Sequence, residues 1–156
     1  MLEGYPVVVD IVVQWGDMDC LGHVNNIVYL QYFETARIEY LMRLGLDPPG
    51  PKWRDAGLIV ASVSCDYKLP VVFPDSVSVG ARVTAIGENR VLMQHATASQ
   101  KLGKVVAEGE VILVSYNYAT LRPVPLRSDW RDAILALEGQ ELPALPPRAR
   151  LSCVVK

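Results

Sequence analysis

Residues 26–44 carry a long helical pattern in a chain whose other strongly patterned segments are strands. Their apolar residues recur at intervals of three and four and form one stripe: Ile27, Leu30, Phe33, Ala36, Tyr40, Leu41 and Leu44. Asn25 or Asn26 can cap the start of this helix, and Gly45 follows the last apolar residue as a C-terminal glycine does. A stripe of this length needs a large apolar surface to cover it.

Strand patterns on both sides of the helix supply that surface. A β-branched run at 6–15 precedes the helix, and four further strands are predicted at 57–69, 76–86, 90–100 and 104–118. The links between the last three strands are short and contain glycine, which indicates antiparallel hairpins. The sequence therefore predicts an α+β fold in which an antiparallel five-stranded sheet wraps around one long central helix.

The size and charge of the chain limit its organisation and its partners. Its 156 residues predict a single domain over 1–156, with a core at about 6–120 and a C-terminal extension at about 121–156. A net charge of −2 provides no positive field, so we expect no nucleic acid and no membrane surface as a partner. The three cysteines are odd in number and far apart, which favours a reducing cytoplasm over a disulfide framework.

The segment between the first strand and the helix holds polar residues suited to chemistry. It contains two carboxylates, a histidine and two amides: Asp17, Asp19, His23, Asn25 and Asn26. The first N–H groups of a helix have no acceptor within the helix, so a carboxylate here would share a small volume with free donors. An acid beside such an oxyanion site is a catalytic arrangement.

Two runs in this region carry a family resemblance: Trp15-Gly-Asp-Met-Asp-Cys-Leu-Gly-His-Val-Asn-Asn26 and Tyr29-Leu-Gln-Tyr-Phe-Glu-Thr-Ala-Arg37. They resemble the signature of the hotdog-fold acyl-CoA thioesterases related to 4-hydroxybenzoyl-CoA thioesterase, and weaker similarity continues to about residue 120. The resemblance implies the hotdog fold and hydrolysis of an acyl or aroyl thioester to the free acid and coenzyme A. It also implies a homodimer or homotetramer, with acyl-CoA as the substrate and no cofactor.

The resemblance assigns the catalytic carboxylate to Asp19, the second aspartate of the Asp-x-Asp pair. This group would attack the thioester carbonyl or deprotonate a water that attacks it, and the sequence leaves both routes open. By the same resemblance, the oxyanion donor is a backbone N–H at or beside Asn26. From the residues alone, Asp19 is also explained as a turn or capping residue, because aspartate commonly forms turns.

The neighbours of Asp19 have structural alternatives as well. We expect Asp17 to fix the loop through backbone hydrogen bonds, and His23 to support the loop, orient Asp19 or contact substrate. Asn25 and Asn26 can position the thioester or cap the helix. Cys20 could instead act as a nucleophile with His23 as its base. Such a pair also needs a third group that orients the histidine, and the sequence does not provide one. No spacing of histidine, cysteine and acidic residues predicts a metal site.

Substrate-binding residues are less well defined by the sequence. For the acyl group we predict a slot that includes Tyr32, Leu58 and Val60. Glu34 can form an ion pair with Arg37, three residues later, although the family often places an acid near the pocket there. The basic residues available to the phosphates of coenzyme A are Arg54, Lys68, Arg82, Arg90, Lys101 and Lys104.

Two other functions share the expected fold. A hotdog dehydratase acting on hydroxyacyl thioesters uses a histidine and an acid placed elsewhere, so the run from Asp17 to Asn26 argues against it. A non-catalytic acyl-CoA binding domain would keep the pocket without needing Asp19. Fold alone does not decide among these functions.

Overall fold

The computed structural model describes residues 1–46 and 56–147 of the chain. Its helices and strands, in chain order, are β1 (Val7–Val12), α1 (Asn26–Arg43), β2 (Gly57–Tyr67), β3 (Ser76–Ile86), β4 (Arg90–Ser99), β5 (Lys104–Asn117), β6 (Arg122–Pro123) and α2 (Ser128–Glu138). The strand order of the sheet is β1-β3-β4-β5-β2, with β6 paired to β5. The predicted antiparallel sheet and long helix are confirmed. No helix in the described residues is long and apolar enough to cross a membrane.

The predicted number of five strands was one too low, because the sheet has six. The additional strand, β6, consists of Arg122 and Pro123, which pair with Asn117 and Tyr116 at the end of β5. A two-residue strand has no alternation of apolar and polar residues, so the periodicity of the sequence could not indicate it.

The structure divides into two compact units, each of which is assembled from several stretches of the chain. The first contains residues 1–40, 65–82 and 94–109, and the second contains residues 41–64, 83–93 and those from 110 onward. The organisation as one domain with a C-terminal extension stays a prediction. Arg54 and Cys153 lie outside the described residues.

In the first unit, β1 pairs antiparallel with β3 from Val7 opposite Ala81 to Val12 opposite Ser76. Side chains alternate between the two faces of a strand, and on β3 Val77, Val79 and Ala81 form a fully buried face. On α1 in the same unit, the ring of Phe33 stacks on that of His95 in β4, with 4.9 Å between the ring centroids. Phe33, Ala36 and Tyr40 of the predicted stripe are fully buried, whereas Ile27 at its start is 60% exposed.

In the second unit, a glycine ends α1 and the C-terminal residues bond to β3. Gly45 has φ +75°. The N–H of the next residue, Leu46, donates to the carbonyl of Leu41 at 3.0 Å. This bond is expected where a glycine in the left-handed conformation ends an α-helix. The C-terminal residues bond to β3: Glu138 Oε1 accepts the Val83 N–H at 2.6 Å. Backbone hydrogen bonds also join Ile86 to residues 143 and 145. The C-terminal residues therefore cover this end of β3, and a covered strand edge resists pairing with a strand of another chain.

Gly80 offers a test of the packing in the first unit, because a Cβ there would lie 2.6 Å from Cγ of Tyr5. The Tyr5 ring is held by the guanidinium of Arg82, 4.8 Å from the ring centroid. We expect Gly80→Ala to lower the free energy of unfolding by about 1–3 kcal/mol, since the ring must move. Urea denaturation measures this change.

The matched control is Gly16→Ala, whose Cβ would meet no atom of the described residues within 4 Å. The control should leave the denaturation midpoint near that of the wild type. Equal midpoints for Gly80→Ala and the wild type would contradict the close approach of Tyr5 to the strand.

Candidate active site

The loop between β1 and α1 folds as a small hairpin. Met18 and Val24 form an antiparallel bridge. Inside that bridge, the N–H of Asp19 donates to the carbonyl of His23 at 3.1 Å, and the N–H of Gly22 donates to the carbonyl of Asp19 at 3.0 Å. Gly22 has φ +80°, a conformation that favours glycine. The hairpin places residue 19 directly opposite residue 23.

The side chain of Asp19 is half-buried and partly engaged by its own turn. Its Oδ1 accepts the N–H of Leu21 at 2.8 Å, which is the turn-forming role that the sequence left open. Its Oδ2 accepts no hydrogen bond from residues 1–46 and 56–147. The local turn therefore orients the carboxylate through one oxygen and leaves the second available.

Asp17 joins this loop to the helix. Its Oδ2 accepts the N–H of Gln14 at 2.8 Å and the hydroxyl of Tyr32 at 2.9 Å. Its carbonyl accepts the N–H of Asn25 at 2.8 Å. Burial, reinforced by the bond to Asp17, raises the pKa of Tyr32, so Tyr32 acts as a neutral donor. These bonds give Asp17 the loop-fixing contacts that the sequence predicted.

The two asparagines at the start of α1 have different hydrogen-bonding roles. Oδ1 of Asn25 accepts the N–H of Ile27 at 3.0 Å, so Asn25 caps the helix. Asn26 is the first helical residue, and its carbonyl accepts the hydroxyl proton of Tyr67 at 3.1 Å. Within the described part of the chain, no acceptor lies against the Asn26 N–H.

A cleft of about 360 Å³ opens at this helix start. Its lining residues come from the hairpin, the first turn of α1 and the end of β2: His23, Val24, Asn26, Tyr29, Tyr67, Lys68, Leu69 and Pro70. The Tyr29 and Tyr67 rings meet edge to face, with 5.4 Å between their centroids. His23 Nδ1 lies 3.2 Å from the Val24 carbonyl oxygen, and because a carbonyl only accepts, this bond requires the proton on Nδ1.

The three residues predicted for the acyl slot, and Glu34 predicted near it, are not among those that line this cleft. Tyr32 is bound to Asp17, and the exposed Glu34 lies 3.6 Å from the guanidinium of Arg37, as the ion-pair alternative predicted. Leu58 is buried on β2, and Val60, on the same strand, is 42% exposed. Both belong to the second unit. The substrate contacts assigned to these four residues stay predictions.

Lys68 is the one basic candidate for coenzyme A that lines the cleft, among those that the structure describes. Its ammonium forms an ion pair with Glu108. Tyr29 and Tyr67 were missed as cleft residues. Tyr29 belongs to a run that carried the family resemblance, so that run was a usable signal for it. Tyr67 is 41 positions from Asn26 in the sequence, and only the tertiary fold joins them.

His95 lies on β4 and is buried in the core. It is 1% exposed, and neither ring nitrogen has a hydrogen-bond partner among the described residues. Burial, with a smaller contribution from Arg37, lowers the pKa of His95 to about 3. The ring is therefore a neutral group in the core.

Comparison with known proteins identifies the family. The sequence pattern of the Thioesterase-like superfamily matches residues 13–134. The chain belongs to this superfamily. A thioesterase from Thermus thermophilus, solved with coenzyme A and Zn, is 38% identical, with a TM-score of 0.79 over 90% of this chain and 99% of that chain. The PA2801 protein of Pseudomonas aeruginosa is 33% identical, with a TM-score of 0.75 over 83% of this chain and 98% of that one.

A further relative is the long-chain acyl-CoA thioesterase FadM of Escherichia coli. It is 26% identical over 122 residues, which cover 75% of this chain and 88% of FadM. These findings confirm the predicted family and the hotdog fold, and the chain is a thioester hydrolase. Among the residues that the structure describes, no cluster of three or more histidine, cysteine or acidic side chains could hold a metal ion. Independence from a cofactor stays a prediction.

The low pKa of His95 predicts a pH dependence of stability. Between its ordinary pKa of 6.5 and the folded value of about 3, the unfolded chain binds a proton that the folded chain does not. The free energy of unfolding therefore falls as the pH is lowered through this window. From pH 6.5 to pH 5.0 we expect His95 alone to contribute a loss of about 1–2 kcal/mol.

His95→Gln removes this titration and keeps a polar side chain. Urea denaturation of both proteins at several pH values between about 5.0 and 6.5 should show a flatter dependence for the variant, whatever its stability at neutral pH. Parallel curves for the two proteins would show that His95 is not a buried neutral group.

Proposed function

We propose that this chain hydrolyses acyl- or aroyl-coenzyme A thioesters to the free acid and coenzyme A, with Asp19 as the catalytic carboxylate. The observation that carries the proposal is the backbone bond of Asp19 to His23, because His23 lines the same cleft as Asn26 at the helix start. Similarity to a thioesterase solved with coenzyme A and to a long-chain acyl-CoA thioesterase supports this substrate class.

Asp19 acts through its Oδ2 atom. The Leu21 N–H occupies Oδ1 and fixes the plane of the carboxylate. In the nucleophilic route, Oδ2 attacks the thioester carbon, the thiolate of coenzyme A leaves, and water hydrolyses the resulting anhydride. In the general-base route, Oδ2 removes a proton from the water that attacks. Both routes begin with the ionised form of Asp19.

The Asn26 N–H stabilises the negative charge that develops on the thioester oxygen. It is the first N–H of α1, where the partial positive charge of the helix dipole is concentrated. Asn25 caps the first turn of α1 through the Ile27 N–H, and the Asn26 N–H is left for the substrate. One oxyanion donor of this kind lowers the barrier by about 3 kcal/mol.

The catalytic assignment is tested with Asp19→Asn, which keeps the size of the side chain and removes its charge. We expect thiol release from a panel of acyl- and aroyl-coenzyme A thioesters to fall about 10²–10⁴-fold in kcat. The matched control is Asp132→Asn on the exposed face of α2, which should retain wild-type rates. Full activity in Asp19→Asn would refute its role, and no thiol release by the wild type would refute the proposed reaction.

Tyr67 is a positioning residue for the helix start in this scheme. Burial raises the pKa of Tyr67, so the hydroxyl stays protonated and donates to the Asn26 carbonyl. Tyr67→Phe removes this bond and keeps the ring against Tyr29. We expect kcat to fall about fivefold with a smaller change in KM, because a neutral hydrogen bond contributes about 1 kcal/mol. An unchanged kcat would exclude this role.

The proposed enzyme is a homodimer or homotetramer that pairs through β2. This strand is an edge of the sheet, and Asp66 is its one charged residue. Its branched aliphatic side chains Ile59, Val60 and Val63 are each more than a third exposed. A long edge strand with a single charge promotes association with another strand, which gives the pairing a physical cause.

Sedimentation equilibrium tests this assembly through Val63→Lys. The wild type should have at least twice the mass of the 17.2 kDa chain, and the variant should dissociate because its charge would be buried at the edge. A monomeric wild type would refute the assembly. The proposed location is a reducing cytoplasm, which agrees with the free thiols of Cys20 and Cys65.

A further inference from the structure

One ion pair of the first unit lies at the wall of the cleft. Lys68 lines the cleft, and its ammonium binds the carboxylate of Glu108 on β5. The two side chains are 44% and 48% exposed, so water and salt screen the attraction between them. Pairs of this kind contribute little to the free energy of unfolding. Stability is therefore a weak reason for an acid beside the lysine of the cleft.

The backbone fixes the place of this pair. The N–H groups of Lys68 and Leu69 both donate to the carbonyl of Val106, at 2.8 Å and 3.1 Å. Glu108 lies two positions after Val106 on β5, so the side chains of these two residues share one face of the strand. The segment that follows β2 is thus held against β5, and the Glu108 carboxylate stands next to the Lys68 ammonium.

Lys68 is the one lysine, arginine or acidic residue among the described residues that line the cleft. The others are aromatic or apolar, apart from one amide and one histidine. Because the carboxylate of Glu108 is bound to the Lys68 ammonium, the pair has no net charge. Removal of the acid would leave a positive charge at the wall of the cleft.

Hydrolysis of a thioester produces a negative charge at this place. In the proposed reaction the thioester oxygen lies at the Asn26 N–H, so the carboxylate of the released acid forms there. Lys68 directly follows Tyr67, whose hydroxyl donates to the Asn26 carbonyl at 3.1 Å. The phosphates of coenzyme A are separated from the thioester by the pantetheine arm. The product carboxylate is therefore the anion that an unpaired Lys68 would hold.

The start of α1 already attracts a carboxylate, because its first N–H groups and the helix dipole favour an anion. An unpaired ammonium in the same cleft would add to this attraction and slow the release of the acid, a step that limits kcat in many enzymes. Tighter binding of the product does not lower the barrier of the chemical step. An acid that occupies the ammonium removes this disadvantage.

We propose that Glu108 is a positioning residue for product release: it holds the Lys68 ammonium and keeps it from binding the carboxylate of the acid product. Glu108 acts through Lys68 and contacts no substrate atom. The proposal rests on the proposed function, because the carboxylate arises in that reaction.

Glu108→Gln tests the proposal, because it keeps the size of the side chain and removes its charge. Inhibition of thioester hydrolysis by benzoate and octanoate is measured, and isothermal titration calorimetry measures binding of the same acids without turnover. We expect both acids to bind about fivefold more tightly to the variant than to the wild type, the scale of one partly screened charge pair. Benzamide and octanamide, which lack the charge, should bind both proteins equally.

Two further variants locate the effect. Asp129→Asn removes the acid from the Arg127 pair on α2, whose side chains are 51% and 58% exposed, and it should leave acid binding unchanged. The double variant Lys68→Met with Glu108→Gln lacks the ammonium as well, so the gain in acid affinity should disappear. A purely structural role of Glu108 would not produce a gain that depends on Lys68.

Unchanged or weaker binding of both acids by Glu108→Gln overturns the proposal. Tighter binding of coenzyme A without tighter binding of either acid also overturns it, because Lys68 would then face the phosphates. Failure of the proposed reaction is detected separately. A wild type that releases no thiol refutes the reaction, while calorimetry with the acids still decides whether Glu108 keeps Lys68 from a carboxylate.

Discussion

The position of Asp19 depends on the hydrogen bonds of its neighbour Asp17. The Asp17 side chain binds the backbone before the hairpin and the hydroxyl of Tyr32 on α1, while its carbonyl holds the N–H of Asn25. These three bonds connect the strand end, the hairpin and the helix cap in one network. Without them, the hairpin that holds Asp19 would lose its bonds to the strand end and to Tyr32 on α1, and only the bonds within the hairpin would fix the carboxylate.

Neutral aromatic donors, rather than charged residues, support the proposed oxyanion site. Burial raises the pKa values of Tyr29, Tyr32 and Tyr67, so these residues bring hydroxyl groups to the site without adding charge. Tyr32 bonds to the loop and Tyr67 to the helix. The charged residue that lines the cleft, among those described, is Lys68, and its charge is paired with that of Glu108.

The parts of the fold with local sequence signals were predictable. The stripe of α1 and the alternation of β3 depend on residues a few positions apart, and they gave nearly the observed bounds. The loop residues were predictable in part: Asp17 has the bonds expected of it, and Asn25 has the capping role that was one of its two alternatives. The role of Asp19 came from a family resemblance, since a turn explained it equally well.

The parts that depend on distant residues were not predictable. The cleft requires Tyr67 and Lys68 to meet the first turn of α1, which no spacing within one segment can indicate. Leu58 and Val60 are apolar residues of a strand, and apolar character alone does not tell a core residue from a pocket residue, so their place in the acyl slot stays a prediction. The sequence also cannot show that the residues packed around His95 offer its ring no hydrogen-bond partner, because those residues come from other elements.

A crystal structure of Asp19→Asn with an intact acyl-coenzyme A thioester would test the central claim most directly, because it fixes the substrate against both proposed catalytic groups. The thioester oxygen should lie about 3 Å from the Asn26 N–H, and the residue 19 side chain should lie about 3.5 Å from the carbonyl carbon. A thioester bound away from the helix start, or out of reach of residue 19, would contradict the proposed mechanism.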